Sequence, residues 1–112
     1  MILSTNSEFT VISEYAFYNC SGITQINIPE GVTTIPGYAF QNCSNLATVK
    51  NASGVETIGT YAFNNCTSFA EMNLPASVVT INSYAFSGCK GIQNVTFGEN
   101  LKTNGEYAFQ NC

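Results

Sequence analysis

Hydrophobic positions recur along this chain with one fixed period. Ile23, Leu46, Phe69 and Ile92 lie 23 residues apart, and three residues further on come Ile26, Val49, Met72 and Val95, with Leu3 in the first unit. Phe9, Val32, Val55, Val78 and Leu101 form another column, followed by Ile12, Ile35, Ile58 and Ile81. Within a unit, Thr24-Gln25-Ile26-Asn27-Ile28 alternates polar and apolar, which predicts a half-buried strand. Pro29 ends that strand, Gly31 helps to turn the chain, and Val32-Thr33-Thr34-Ile35 predicts a second short extended piece. The following stretch lacks alternation, and a single helical turn is expected there.

That last stretch carries the most regular signature. Tyr-Ala-Phe begins at Tyr15, Tyr38, Tyr61, Tyr84 and Tyr107, and the cysteines Cys20, Cys43, Cys66, Cys89 and Cys112 keep step. A repeat this short encloses no core by itself; it becomes stable when its apolar side chains stack on their counterparts in neighbouring coils. The chain is therefore expected to be one solenoid over residues 1–112, with units at about 1–20, 21–43, 44–66, 67–89 and 90–112. Two strand-end positions break the apolar column, Thr5 and Asn51, where other units have Ile28, Leu74 and Phe97, and Asn104 replaces the Ile35 column. Those coils are expected to be irregular without losing register. Thr5, Asn6, Ser7 and Glu8 make the first unit polar enough to suggest a weak cap.

The pattern Ile26-x-Ile28-Pro29-x-Gly31-Val32-x-x-Ile35-x-x-x-Ala39-Phe40-x-x-Cys43-x-x-Leu46 resembles the BspA-like class of leucine-rich repeats over nearly the whole chain. The resemblance implies a mostly β, right-handed leucine-rich-repeat superhelix with a parallel sheet on its concave face and short helical or 3-10 turns. It also implies a non-catalytic module, secreted or at a cell surface, that binds proteins or mediates adhesion. No catalytic residues carry over, because the motif positions are structural.

Charge and chemistry narrow the functions further. The chain has 3 Lys and Arg together and 7 acidic residues, net charge −4, and no His. Lys50, Lys90 and Lys102 are too few for electrostatic capture of nucleic acid. No apolar run approaches the roughly 18 residues of a membrane span, and Met1-Ile2-Leu3-Ser4-Thr5 is not a signal peptide. Without His the usual nucleophile–base pairs are missing, and neither a dinucleotide nor a phosphate loop is present. The chain is expected to be no enzyme and to need no cofactor.

The evenly spaced cysteines form a straight column rather than the close pairs of a zinc site. They are expected to act as small buried apolar side chains, with Cys112, which no later coil covers, as the candidate reactive thiol. The tyrosine column is expected at the core edge with its hydroxyls in water. Asn19, Asn42, Asn51, Asn65 and Asn94 begin Asn-x-Ser/Thr triplets, and Asn94, facing outward in its strand, is the candidate glycan site.

The outward strand positions Gln25, Thr48, Glu71 and Asn94, then Asn27, Lys50, Asn73 and Thr96, with Ser4 in the first unit, vary while the inward positions repeat. They are the candidate concave binding face for an unidentified protein or host-cell ligand. The alternative from a different class is a structural subunit. Uncapped solenoid ends expose strand edges, and head-to-tail contacts between chains build a homopolymer, an open filament if the contact does not close.

Overall fold

The computed structural model describes residues 11–50 and 52–112. Leu3, Ser4, Thr5, the polar Asn6-Ser7-Glu8 cap, Phe9 and the sequon at Asn51 lie outside the described residues. Two strands arise from each later unit. The three-residue strands are β1 (Gln25–Asn27), β3 (Thr48–Lys50), β5 (Glu71–Asn73) and β7 (Asn94–Thr96). The two-residue strands are β2 (Thr34–Ile35), β4 (Thr57–Ile58), β6 (Thr80–Ile81) and β8 (Thr103–Asn104). All pairing is parallel and shifted by one repeat, as in Ile26 beside Val49 and Ile35 beside Ile58. The architecture is thus a parallel-strand solenoid of the leucine-rich-repeat class, and the period read from the hydrophobic columns is its coil.

The short strands form one continuous sheet in the order β2-β4-β6-β8. Val11 and Ile12, the first unit's counterparts of Thr34 and Ile35, join no strand, so this ladder makes three steps where five complete coils would make four. Asn104 keeps register with Ile81 although it is exposed. Inside the coil, Ile26, Ile28, Val32, Ile35, Phe40 and Leu46 are completely or almost completely buried, as are Val55, Ile58, Phe63 and Phe69 at matching positions of the next units, whereas Val49 is half-buried. Each supplies part of a wall that its own unit is too short to close.

The stretch from Tyr-Ala-Phe to Cys is not a helical turn. Within it, hydrogen bonds alternate between local and inter-coil partners. The N–H groups of Ala39, Gln41 and Cys43 close β-turns on Pro36, Tyr38 and Phe40, while those of Tyr38, Phe40 and Asn42 donate to Thr60, Ala62 and Asn64 of the next coil. The reason lies in backbone angles. Tyr15, Tyr38, Tyr61, Tyr84 and Tyr107 have φ between 58° and 62°, and Asn19, Asn42, Asn65 and Asn111 between 60° and 62°. A left-handed residue every fourth position interrupts the α path, which requires negative φ throughout. Asn and Gly tolerate this region, and Gly88 fills the asparagine position of its unit with φ 78°. A tyrosine there costs about 1–2 kcal/mol, so packing must hold it.

That packing is a pair of ring columns. Tyr15, Tyr38, Tyr61, Tyr84 and Tyr107 stack with centroids 4.8–5.3 Å apart. Phe17, Phe40, Phe63, Phe86 and Phe109 stack at 5.1–5.2 Å with planes within 5° of parallel. Both spacings match the separation of adjacent coils, about 4.8 Å.

Candidate functional site

The cysteine column has a role in closing the coils. Cys43 Sγ–H donates to the Phe17 carbonyl of the preceding coil at 3.0 Å. Cys66, Cys89 and Cys112 repeat the contact to Phe40, Phe63 and Phe86 at 3.2, 3.1 and 3.2 Å. The same carbonyls accept the N–H of the cysteine in their own turn, Phe40 from Cys43 for example. A buried thiol here is a small apolar side chain that also satisfies a carbonyl lone pair, and the contact requires the proton. Burial pushes Cys43 up to about 11 and Cys89 up to about 12, and raises Cys66 further still. All five cysteines are free thiols, Cys43, Cys66 and Cys89 buried, Cys20 half-buried and Cys112 exposed. Desolvation also raises Cys112, so any reactivity there comes from access and not from acidity. Among the described residues no group of three or more His, Cys, Asp or Glu is placed to hold a metal ion.

Beside the rings runs an amide ladder. Asn42 Nδ2 donates to Asn19 Oδ1 at 2.9 Å and Asn65 Nδ2 to Asn42 Oδ1 at 3.1 Å. These three sequon asparagines are therefore engaged between coils, and the column stops at Gly88, where a Cβ would meet Asn65 Oδ1. Asn94 is exposed on β7.

The eight outward strand residues lie on β1, β3, β5 and β7. Thr48, Lys50, Glu71, Asn73, Asn94 and Thr96 are exposed, whereas Gln25 and Asn27 are half-buried. Asn27 Oδ1 is buried and accepts no hydrogen bond among the described residues. The face is not one sheet. β1 pairs with β3 and β5 with β7, but β3 and β5 are unpaired. No Cα of β3 lies within 8 Å of a Cα of β5, so the two strands are too far apart for direct pairing at about 4.8 Å.

Two sequence departures flank this seam. The unit before it has Asn51-Ala52 where its neighbours have Ile28-Pro29 and Leu74-Pro75. The unit after it has Phe69 in a column of Ile23, Leu46 and Ile92, with its ring edge-on to Phe63 at 5.9 Å. Asn51 lies outside the described residues, and Phe69 is buried with its ring on the wall of the seam. On the outer side the seam is a groove of about 410 Å³ bounded by Ala47, Val49, Phe69 and Glu71. On the inner side a cavity of about 300 Å³ is lined by Val49, Val55, Phe63, Met72 and Leu74 among others. The irregularity expected at the Asn51 coil takes the form of a slot into the core, while register survives in β2-β4-β6-β8. The slot itself was not legible in sequence. The signal that marks it is the coincidence of Asn51 and Phe69 on adjacent units.

The BspA type leucine rich repeat region matches residues 3–112 as six copies, and the chain belongs to that family. It is similar to a leucine-rich repeat protein of Bacteroides ovatus ATCC 8483, with 37% identity and a TM-score of 0.80 over 85% of this chain and 24% of that one. It is similar also to the leucine-rich repeat protein TpLRR of T. pallidum, with 28% identity and a TM-score of 0.94 over 100% of this chain and 54% of that one. A leucine-rich cell surface protein of Faecalibacterium prausnitzii A2-165, 21% identical with a TM-score of 0.67 over 80% of this chain and 30% of that one, shares the fold. The chain thus spans between about a quarter and about half of these relatives. No curated protein matches it. Leucine-rich-repeat proteins of this kind commonly mediate protein interaction, and among the described residues no helix is long and apolar enough to cross a membrane.

Proposed function

We propose that this member of the BspA-type leucine-rich-repeat family is a non-catalytic protein-binding module of a secreted or cell-surface protein, engaging an adhesion partner through the outward side of β1, β3, β5 and β7. The observation that carries the reading is the contrast on those strands. Inward residues Ile26, Val49, Met72 and Val95 repeat in kind, whereas their outward neighbours change from each unit to the next and are mostly exposed. A surface under no packing constraint is free to be shaped by a partner. With no Trp or Arg in the chain, it lacks two of the usual anchor types and suits repeated, individually weak contacts. The extracellular placement rests on the family resemblance.

Beads coated with the chain and incubated with intact cells test this reading. Adhesion is expected, and Thr48→Lys/Glu71→Lys/Asn94→Lys should abolish it while Lys102→Glu, exposed next to β8 and outside those strands, should not. Adhesion indifferent to the triple variant sinks the proposal.

A second reading has its own observation. In the last coil Tyr107 is 54% exposed at the end of a tyrosine column whose inner members are half-buried, and Phe97 is 45% exposed where its counterparts Ile28 and Leu74 are buried. Chains stacking end to end would cover these rings and build a filament. Light scattering in the presence of reductant tests it, with a monomer at all concentrations counting against it.

A further inference from the structure

The seam gives a chemical identity to one partner, on the reading that the strand face is the binding face. In a parallel ladder, successive residues aim their N–H and C=O groups alternately at the two neighbouring strands. Ile28 N–H donates to the Lys50 carbonyl and Ile26 sits beside Val49. Thr48 and Lys50 therefore direct their backbone groups at β1, and Val49 directs its N–H and C=O into the seam. On the other lip, Leu74 N–H donates to the Thr96 carbonyl and Met72 sits beside Val95. That leaves the Glu71 carbonyl and the Asn73 N–H facing the seam.

These four groups have the spacing and polarity of a missing strand. A segment placed midway must lie about 4.8 Å from each lip, a separation of about 9.6 Å between them, consistent with the absence of any approach within 8 Å. Take a central residue in register with Val49 and Met72. Its own N–H reaches the Glu71 carbonyl and its C=O the Asn73 N–H. The carbonyl before it accepts from Val49 N–H, and the N–H after it donates to the Val49 carbonyl. Three residues therefore satisfy both lips. The central side chain, in the column of Val49 and Met72, points inward to the apolar cavity of about 300 Å³ beneath.

Charge then sets the order of the flanking residues. The preceding side chain lies between Thr48 and Glu71, and the following one between Lys50 and Asn73. A base is favoured first and an acid second, since opposite charges on adjacent strands attract and like charges repel. We propose that the β3–β5 seam accepts an extended segment of a partner protein as an added parallel strand, with the order basic, apolar, acidic from N to C terminus. This is strand addition, in which main-chain bonds give affinity and alternate side chains give specificity, placed inside a sheet and not at its edge.

The test is amide hydrogen exchange by NMR on the intact chain, with the peptide Thr-Lys-Leu-Glu-Thr and its charge-reversed partner Thr-Glu-Leu-Lys-Thr as probes. Saturation with the first is expected to slow exchange at Val49 and Asn73 by about tenfold or more. The reversed peptide should bind about fivefold more weakly, as two cross-strand charge pairs imply. The Lys50→Glu/Glu71→Lys variant should invert that preference, and Asn51→Ile/Ala52→Pro, which restores the residues of a closed junction, should lose the peptide. Absence of peptide binding, binding without protection at Val49 and Asn73, or an uninverted preference each overturns the proposal. Concentration-dependent protection of those amides without peptide means that a second copy fills the seam, and likewise overturns it. If bead adhesion stays sensitive to the strand-face triple variant while the peptide fails, strand insertion alone falls and the wider binding reading stands.

Discussion

The two sides of this solenoid are built from the same coils, yet one is continuous and the other is split. On the turn side, between the third and fourth units, Tyr61, Phe63 and Asn65 N–H groups donate to Ser83, Ala85 and Ser87, and the Phe63 and Phe86 rings stack at 5.2 Å. On the strand side of that junction, β3 and β5 share no backbone pairing. The difference teaches where regularity is enforced. The turn side ties each junction by backbone bonds, two ring columns and a thiol bond, so that no one residue decides it. The strand side has three residues per unit and one inward side chain among them, so that fewer contacts hold each junction there. A binding slot arises where redundancy is lowest, and the redundant side holds register while it does.

The largest expected effect breaks the continuous side. Phe63→Ala removes a buried ring stacked on both neighbours and should cost about 3–5 kcal/mol, read as a lowered urea midpoint. Unchanged stability would mean that the rings are ornamental.

Alkali should come next. Below pH 9.0, the ordinary thiol value, buried Cys43 and Cys89 are protonated in both the folded and unfolded states and contribute no pH dependence. Above it the unfolded chain loses these protons first, because the folded thiols are held at about 11 and about 12. Stability should therefore fall as pH rises from 9 towards 11, by up to about 1.4 kcal/mol per unit for each such thiol. Denaturation midpoints across that range, falling less steeply in a variant with Cys43 and Cys89 replaced by alanine while Cys66 keeps its share of the slope, check the sign.

Cys66→Ala is smaller, about 1–2 kcal/mol for a buried thiol and its bond to the Phe40 carbonyl. Native-state thiol labelling sharpens the same point. Cys112 should react first and Cys20 next, with Cys43, Cys66 and Cys89 silent until unfolding. Early modification of Cys66 would show that the turn side opens as readily as the seam. The smallest effect belongs to the split side: Asn73→Ala, exposed on β5, should move stability by less than about 0.5 kcal/mol. A larger loss there would mean that the outward face carries structural weight and is not free for a partner.

Much of this molecule was open to inspection in the residues. The period, the strand at Gln25–Asn27, the burial of Ile26, Ile35 and Phe40, and the column of cysteines follow from alternation and repetition, because a coil that must stack on its copy repeats whatever faces that copy. The turns escaped for a local reason. Tyr-Ala-Phe-Gln has the composition of a helical turn, and nothing in a tyrosine announces φ near 60°. Only the stacked rings of adjacent coils compensate that backbone cost. For the candidate face, sequence placed Gln25 through Thr96 on alternate strand positions but gave them as one surface.

Sequence by itself therefore determined the coil, its register and its inward and outward sides, since these depend on side-chain character repeated at a fixed interval. Tertiary structure decided where the interval fails to hold two strands together. That outcome depends on how residues of two adjacent units, Val49 and Phe69 among them, meet at one junction, and such a meeting has no expression in the pattern of either unit alone.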